Sequence, residues 1–185
     1  MKTKTAIYYS AMFLSLEEVC QALESGVMSE EAQKECDILV KCANLIVDEI
    51  ASDWLPLKNK EKITVNAGEF DMKNLQKPVL DVFRITDKEG RRGRFRQFFD
   101  KLFCDDGEYE IEYSYAPGEL TLESDLPFPL STPSVRVIAY GIACEYNIIS
   151  GLTAEASVWE NKFIDALKSA TSKKREFTVK RRRWA

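Results

Sequence analysis

The clearest periodicity of apolar side chains lies between residues 133 and 172. Apolar residues recur there at steps of three and four, which places them on one face of a helix. They form two sets, first Val135, Ile138, Ile142, Tyr146 and Ile149, then Ala156, Trp159, Phe163, Ala166 and Ala170. Thr132 and Pro133 predict the N-cap and first residue of one helix. Gly151 predicts its left-handed C-cap, and Thr153 caps a second helix. The short connection makes the two helices antiparallel neighbours that bury both stripes as a core.

Residues 29–56 predict a long helix with two apolar rows. Ser29 begins it, and Pro56 ends it. The first row follows a seven-residue repeat: Ala32, Cys36, Leu39, Ala43, Ile46 and Ile50. The second row consists of Val40, Val47 and Trp54. We interpret the second row either as another buried face of a central helix or as a subunit interface. A shorter preceding helix is predicted from a capping box and a terminal glycine, at Ser15, Glu18 and Gly26.

From residue 62 the period changes from helical to alternating. The strands predicted by this alternation are Ile63–Val65, Val79–Ile85, Arg94–Phe99 and Tyr109–Tyr115. A turn at residues 87–90 would join the second and third of them. Three prolines between residues 126 and 133 indicate an extended connector. The predicted fold class is α+β: a helical bundle, made of the long N-terminal helix and the C-terminal helical hairpin, with an inserted antiparallel β lobe and a basic C-terminal arm. The helical core takes residues 1–57 and 132–172, the lobe 58–131 and the arm 173–185.

Composition limits the class of protein. The 185 residues are 45% apolar and 30% charged, which suits one globular domain with an excursion. No apolar run approaches the roughly 18 residues of a membrane span. The first residues contain too little apolar sequence for a signal peptide, so we expect a soluble intracellular protein without membrane contact. The five cysteines are odd in number and widely spaced, which indicates reduced thiols.

Catalysis finds little support in the sequence. There is no histidine, which excludes serine–histidine and cysteine–histidine nucleophile pairs and every metal site with an imidazole ligand. The cysteines show no CxxC spacing. The stretch at residues 90–95 matches neither a Walker loop nor a dinucleotide fingerprint. We therefore expect no catalytic residue, no metal and no cofactor, and a protein that is not an enzyme.

The charges are divided between an acidic body and a basic arm. Residues 173–185 hold seven Lys/Arg and one Glu, whereas residues 1–172 hold 19 Lys/Arg and 29 Asp/Glu. We expect this arm to meet an acidic surface on another subunit, another protein or nucleic acid. Its candidate contact residues are Lys173, Lys174, Arg175, Phe177, Val179, Lys180, Arg181, Arg182, Arg183 and Trp184.

A second basic stretch lies in the β lobe. Arg91, Arg92, Arg94 and Arg96 are interleaved with Phe95, Phe98 and Phe99. This composition is typical of a nucleic-acid contact. On a strand, however, Arg94 and Arg96 would lie on the wet face while Phe95 packs inward, and no partner is then required.

Several stretches resemble one known family in the spacing of their residues. These are YGIACEY at 140–146, Gly151, Glu155, Trp159-Glu160 and Arg182-Arg183-Trp184, with ANLIVDEIASDWLP at 43–56 and YEIEYSY at 109–115 followed by Pro117. They resemble the small structural proteins encoded among the head and neck genes of tailed bacteriophages and prophages, in particular the head-to-tail connector or adaptor proteins.

The resemblance implies a virion protein of the neck, assembled in the host cytoplasm. It implies a ring of twelve subunits beneath the portal protein, DNA passing through that ring, and a stopper or tail protein on the other side. It also implies that residues 173–185 are the arm that docks on the portal. The β lobe is longer than the simplest adaptors need. The alternatives are therefore a tail-side neck or tail-completion protein, or a nucleic-acid-binding protein that acts through its basic tail.

Overall fold

The computed structural model describes residues 1–128 and 132–172, and the predicted basic arm lies outside these residues. The described residues form an α+β fold, as the sequence predicts. The helices are α1 (Thr3–Phe13), α2 (Glu17–Ser25), α3 (Glu30–Glu49), α4 (Val135–Ile149) and α5 (Thr153–Ser172). A π-helical turn, Ile50–Trp54, continues α3. The strands are β1 (Lys58–Val65), β2 (Glu69–Asp71), β3 (Val79–Asp87), β4 (Arg96–Phe98), β5 (Lys101–Phe103) and β6 (Gly107–Tyr115).

The described residues divide into two compact units, a helical unit of residues 1–46 with the described residues after 119, and a β unit of residues 47–119. The segment after residue 119 belongs to the helical unit because hydrogen bonds tie it there. Leu120 donates its N–H to Asn44 Oδ1 at 2.7 Å, and Asn44 Nδ2 donates back to the Leu120 carbonyl at 3.1 Å. The N–H of Thr3 donates to the Ser124 carbonyl at 2.9 Å. The borders between the two units therefore lie between residues 46 and 47 and between residues 119 and 120. The sequence predicted them between residues 57 and 58 and between residues 131 and 132.

Helix α1 was not predicted from the sequence. Its buried residues follow the helical spacing of three and four, but they are mostly small or polar: Thr3, Ala6, Ile7, Ser10 and Ala11. The apolar Tyr9 and Met12 are exposed. Hydrophobicity therefore does not mark the face that packs. At its end, the Phe13 ring stacks on Tyr140 of α4 and Trp159 of α5, at centroid distances of 5.3 and 5.2 Å.

Two predicted helix starts are wrong. Ser15 has φ 57°, in the left-handed region, and an N-cap needs an extended backbone. The N-cap of α2 is Leu16, so the capping box does not form. Helix α4 begins at Val135 after an extended Ser134, not at Pro133 after Thr132.

The predicted glycine C-caps are confirmed. Gly26 and Gly151 have φ 77° and 74°, where residues with a Cβ are strained. Gly151 lies between α4 and α5, which pack as the predicted antiparallel hairpin.

The stripe of α3 is confirmed, because all six residues of its seven-residue repeat are buried. The stripe of α4 is only part of its buried surface. Ile138 and Ile142 are buried as expected, but Ile149 is 57% exposed. The helix also buries residues outside the stripe: Val137, Ala139, Gly141, Ala143, Cys144 and Asn147.

The β unit holds two three-stranded antiparallel sheets. In the first, β6 lies between β1 and β3; in the second, β5 lies between β2 and β4. Their core residues include the fully buried Ile85, Leu102, Ile111 and Tyr113. Of the predicted strand Arg94–Phe99, only Arg96–Phe98 forms, and it pairs with β5 and not with β3. The two-residue connection from β4 to β5 makes that local hairpin the closer partner.

Candidate protein-interaction surfaces

The predicted subunit-interface row on α3 and the turn after it is only partly accessible. Val47 is 1% exposed, so its side chain is used inside the chain itself. Val40 and Trp54 are half-buried. These two keep some surface for a partner, whereas Val47 offers none. The predicted docking arm, residues 173–185, lies outside the described residues.

Four of the five thiols have a pKa above the ordinary thiol value. Burial raises the pKa of Cys42 to about 12, with a smaller contribution from Glu145. Burial likewise raises the pKa of Cys20, Cys36 and Cys104 above the ordinary thiol value. A thiol nucleophile needs the opposite shift. These four cysteines are therefore unsuited to nucleophilic chemistry near neutral pH.

The described residues also lack a metal cluster and a membrane helix. Residues 1–128 and 132–172 contain no group of three Cys, Asp or Glu side chains placed to hold a metal ion. Within the same ranges, no helix is long and apolar enough to cross a membrane.

Exposed aromatic rings mark one edge of the β unit. Phe98 is 65% exposed and Phe99 79% exposed, and the two rings meet edge to face with centroids 4.5 Å apart. Phe99 has φ 49°, a backbone conformation that costs a non-glycine residue roughly 1 kcal/mol. Phe103, on the neighbouring strand, is 38% exposed. We call Phe98, Phe99 and Phe103 the aromatic edge.

The strand register explains why these rings face outward. In the second sheet Phe103 lies opposite Arg96 and Glu69, and Phe98 lies opposite Lys101. Residues that pair across strands share a face. The opposite face carries Leu102, which is fully buried. The outer face therefore combines exposed rings with charged side chains.

An arginine groove of about 860 Å³ adjoins the aromatic edge. It is lined by Gly68, Arg92, Gly93, Arg94, Phe95, Arg96, Phe103 and Cys104. Arg94 and Arg96 are exposed while Phe95 is half-buried against the core, as the alternation in the sequence predicts.

The helical unit has its own exposed apolar surface, at the turn between α4 and α5. Ile148, Ile149 and Leu152 are 52%, 57% and 47% exposed, and Val158 on the first turns of α5 is 54% exposed. We call these four residues the hairpin tip. Ile148, Ile149 and Leu152 lie within five residues of chain, and exposed apolar side chains this close in sequence make the tip a candidate contact surface.

Sequence reasoning found the arginines but missed both apolar surfaces. Ile149 was assigned to the buried stripe because its spacing fits, but it is the last residue of α4 and is exposed. Phe98 and Phe99 were assigned to a strand beside β3. The only available signal for them was the adjacency of two phenylalanines, which cannot both point inward from an extended strand.

No protein-family model matches the chain, and a comparison with curated proteins finds no match either.

Proposed function

We propose that the chain is a non-enzymatic virion protein, a head-to-tail connector or adaptor whose copies form a ring that docks on a portal and links capsid to tail. The observation that carries this proposal is the pair of unlike exposed apolar surfaces. One is the aromatic edge of the β unit, and the other is the hairpin tip of the helical unit. Head-to-tail association of identical subunits requires two different surfaces on each copy, and a closed ring is one product of it.

The resemblance of the sequence to phage neck proteins supports a position of this ring beneath the portal. A ring beneath the portal needs a segment that reaches the next component. Residues 173–185 supply a basic, aromatic segment suited to that role, with Arg182, Arg183 and Trp184 as the matching residues. A buried tryptophan ringed by charge-complementary contacts is the sort of group that carries interface energy.

The direct test is electron microscopy of the purified protein, alone and mixed with its cognate portal ring. We expect an added layer that shares the symmetry of the portal. If neither sample shows a ring or a layer, the adaptor proposal fails. A layer that forms only with stopper or tail-tube protein would assign the chain to the tail side of the neck.

The arm is tested separately. Deleting residues 173–185 should leave the fold intact, because every predicted core stripe ends before residue 173, and should abolish docking to the portal. The full-length variant Trp184→Ala provides a control in which the arm keeps its charge and loses its anchor. Normal docking by the deletion variant would contradict the role of the arm.

A further inference from the structure

We propose that the arginine groove of the β unit binds the acidic helical segment 17–37 of a second copy of this chain. The proposal rests on the proposed function, because it names one contact by which subunits of the ring would join. It concerns the association between copies and not the docking of the arm on the portal.

The groove is distinguished by arginines without carboxylate partners. The β unit contains twelve Lys and Arg residues, and seven of them have a carboxylate oxygen within 4 Å. Three of the other five are Arg92, Arg94 and Arg96, and all three line the groove. No described carboxylate lies within ion-pair distance of them. Most cations of the β unit pair with carboxylates, but these three are exposed in one concave site. The groove is therefore suited to bind an anionic group from outside the chain.

The geometry of the groove suits a protein surface. Arg94 and Arg96 are two residues apart, both are exposed and both line the groove, so their guanidinium groups can reach carboxylates along one element of a partner. Phe103 and the half-buried Phe95 give the groove apolar walls beside the charges. An interface of this kind combines desolvated aromatic contact with charge pairs at its rim.

The same chain carries a matching acidic segment. Residues 1–46 and 120–172 hold seven Lys/Arg and thirteen Asp/Glu. Segment 17–37, which spans α2 and the first part of α3, holds seven of these acids and only Lys34 as a cation. Segment 17–37 has six more acidic than basic residues, which equals the whole negative excess of residues 1–46 and 120–172.

Several of these carboxylates are available to a partner. Glu17, Glu18 and Glu31 are exposed, and no described cation pairs with them. Lys34 is already bound to Glu30 at 2.8 Å. Because the groove belongs to the β unit and the acids to the helical unit, the contact joins two different surfaces of two copies, and we propose that it forms head to tail. This is the type of contact that a ring requires.

Nucleic acid fits the groove less well. Residues 1–172 hold 19 Lys/Arg and 29 Asp/Glu, and this excess of negative charge repels a phosphate backbone over any broad contact. Phe98 and Phe99 are packed edge to face on each other, so they do not form an open stacking platform for bases. A second copy of the chain meets the same three arginines with its most acidic segment.

The test uses two full-length charge-reversed variants. One carries Arg92→Glu, Arg94→Glu and Arg96→Glu, and the other carries Glu17→Lys, Glu18→Lys and Glu31→Lys. Self-association is measured by sedimentation equilibrium at low salt. If the free chain is monomeric, the measurement is instead the layer that the chain forms on the portal, seen by electron microscopy. Each variant alone should associate at least about 30-fold more weakly than wild type. An equimolar mixture should recover most of that loss, because each variant then offers the other a charge-complementary surface.

Controls separate a specific contact from net charge and from misfolding. Lys62→Glu with Lys77→Glu reverses two other exposed cations of the same unit and should leave self-association unchanged. The neutral variant Glu17→Gln, Glu18→Gln and Glu31→Gln avoids placing lysines in the first turns of α2 and α3, where they oppose the helix dipole. It should weaken association as well, by a smaller factor.

Each outcome decides the proposal. Unchanged association of the arginine-reversed variant, or a mixture that recovers nothing, overturns it while leaving the ring function standing. Arginine-dependent binding of a single-stranded oligonucleotide, with self-association unaffected, overturns it in favour of nucleic acid. Absence of any wild-type association, with and without the portal, overturns both this contact and the ring function.

Discussion

Gly93 lies where the loop that carries Arg92 and Arg94 passes closest to the core of the β unit. A Cβ on Gly93 would lie 2.8 Å from Ile85 Cγ1, 2.9 Å from Ile85 Cδ1 and 3.3 Å from Tyr109 Cε1. The N–H of Gly93 also donates to the Ile85 carbonyl oxygen at 3.0 Å. Ile85 is fully buried. A methyl group at residue 93 therefore has no space unless either the isoleucine or the loop moves.

We expect Gly93→Ala to lower the free energy of unfolding by about 1–2 kcal/mol, the difference between two opposing effects. Overpacking a well-packed core costs about 1–3 kcal/mol. Gly93 is not among the glycines with positive φ, so alanine is permitted by the backbone and gains about 0.4–1 kcal/mol from the restricted unfolded chain. The clash is the larger of the two effects because the contacts are with a buried side chain. Displacement of the loop should also weaken any association that uses Arg92 and Arg94.

The assay is urea unfolding followed by circular dichroism, with Gly118→Ala as the matched control. No atom lies within 4 Å of a Cβ on Gly118, so this variant should be as stable as wild type or more stable by up to about 1 kcal/mol. In an Ile85→Ala background the added methyl group should cost much less, because the two nearest atoms are gone and only the contact with Tyr109 Cε1, at 3.3 Å, remains. If Gly93→Ala is as stable as Gly118→Ala, the close approach of this loop to the core is refuted.

Three further predictions concern other sites. Gly141→Ala should lower stability by about 1–2 kcal/mol in a urea titration despite its better helix propensity, since its Cβ would lie 2.8–3.0 Å from side-chain atoms of Ile46. Phe99→Gly should raise the free energy of unfolding by about 0.5–1 kcal/mol, because glycine tolerates the φ of 49°. The same variant should weaken self-association measured by sedimentation, and Phe98→Ser should do so too. Burial raises the pKa of Tyr146 from 10.0 to about 12. As the pH rises, this tyrosine ionises in the unfolded chain before it ionises in the folded one, so the free energy of unfolding falls between pH 10.0 and about pH 12. Tyr146→Phe should reduce that slope in a pH series.

Each of these has a contrary result that can be recognised. A Gly141→Ala variant more stable than wild type would show that Ile46 relaxes without cost. Normal assembly of the Phe99→Gly variant would remove the aromatic edge from the interface. An unchanged slope in Tyr146→Phe would assign the alkaline loss of stability to other groups, of which Cys42, with its pKa also raised to about 12, is the first to examine.

The sequence predicts the fold wherever apolar side chains occupy the buried positions. The repeat from Ala32 to Ile50 is buried as predicted, and β6 alternates as expected through Ile111 and Tyr113. Prediction failed where the packing face is small or polar. Helix α1 buries Thr3 and Ser10 and exposes Met12, so its hydrophobicity points away from its contacts.

The candidate surfaces were harder to predict than the core. Periodicity places a residue on a face but does not say whether another element covers that face. Ile149 fits the stripe of α4 and is exposed because the chain turns at Gly151. The sequence shows the three arginines of the groove as a basic stretch. Only the three-dimensional structure shows that the other cations of the β unit mostly pair with carboxylates and that these three do not.

The charges of the chain limit which contacts can form together. The arm holds seven Lys/Arg and one Glu, the groove presents three arginines, and segment 17–37 is the one strongly acidic element of the helical unit. If the groove of one copy takes segment 17–37 of the next, that segment is not available to the arm, and docking on another component offers the arm other carboxylates. If the arm instead competed for that segment, deleting residues 173–185 would strengthen association between copies. We expect the deletion to leave that association unchanged and to abolish docking to the portal, because the two contacts use different carboxylates.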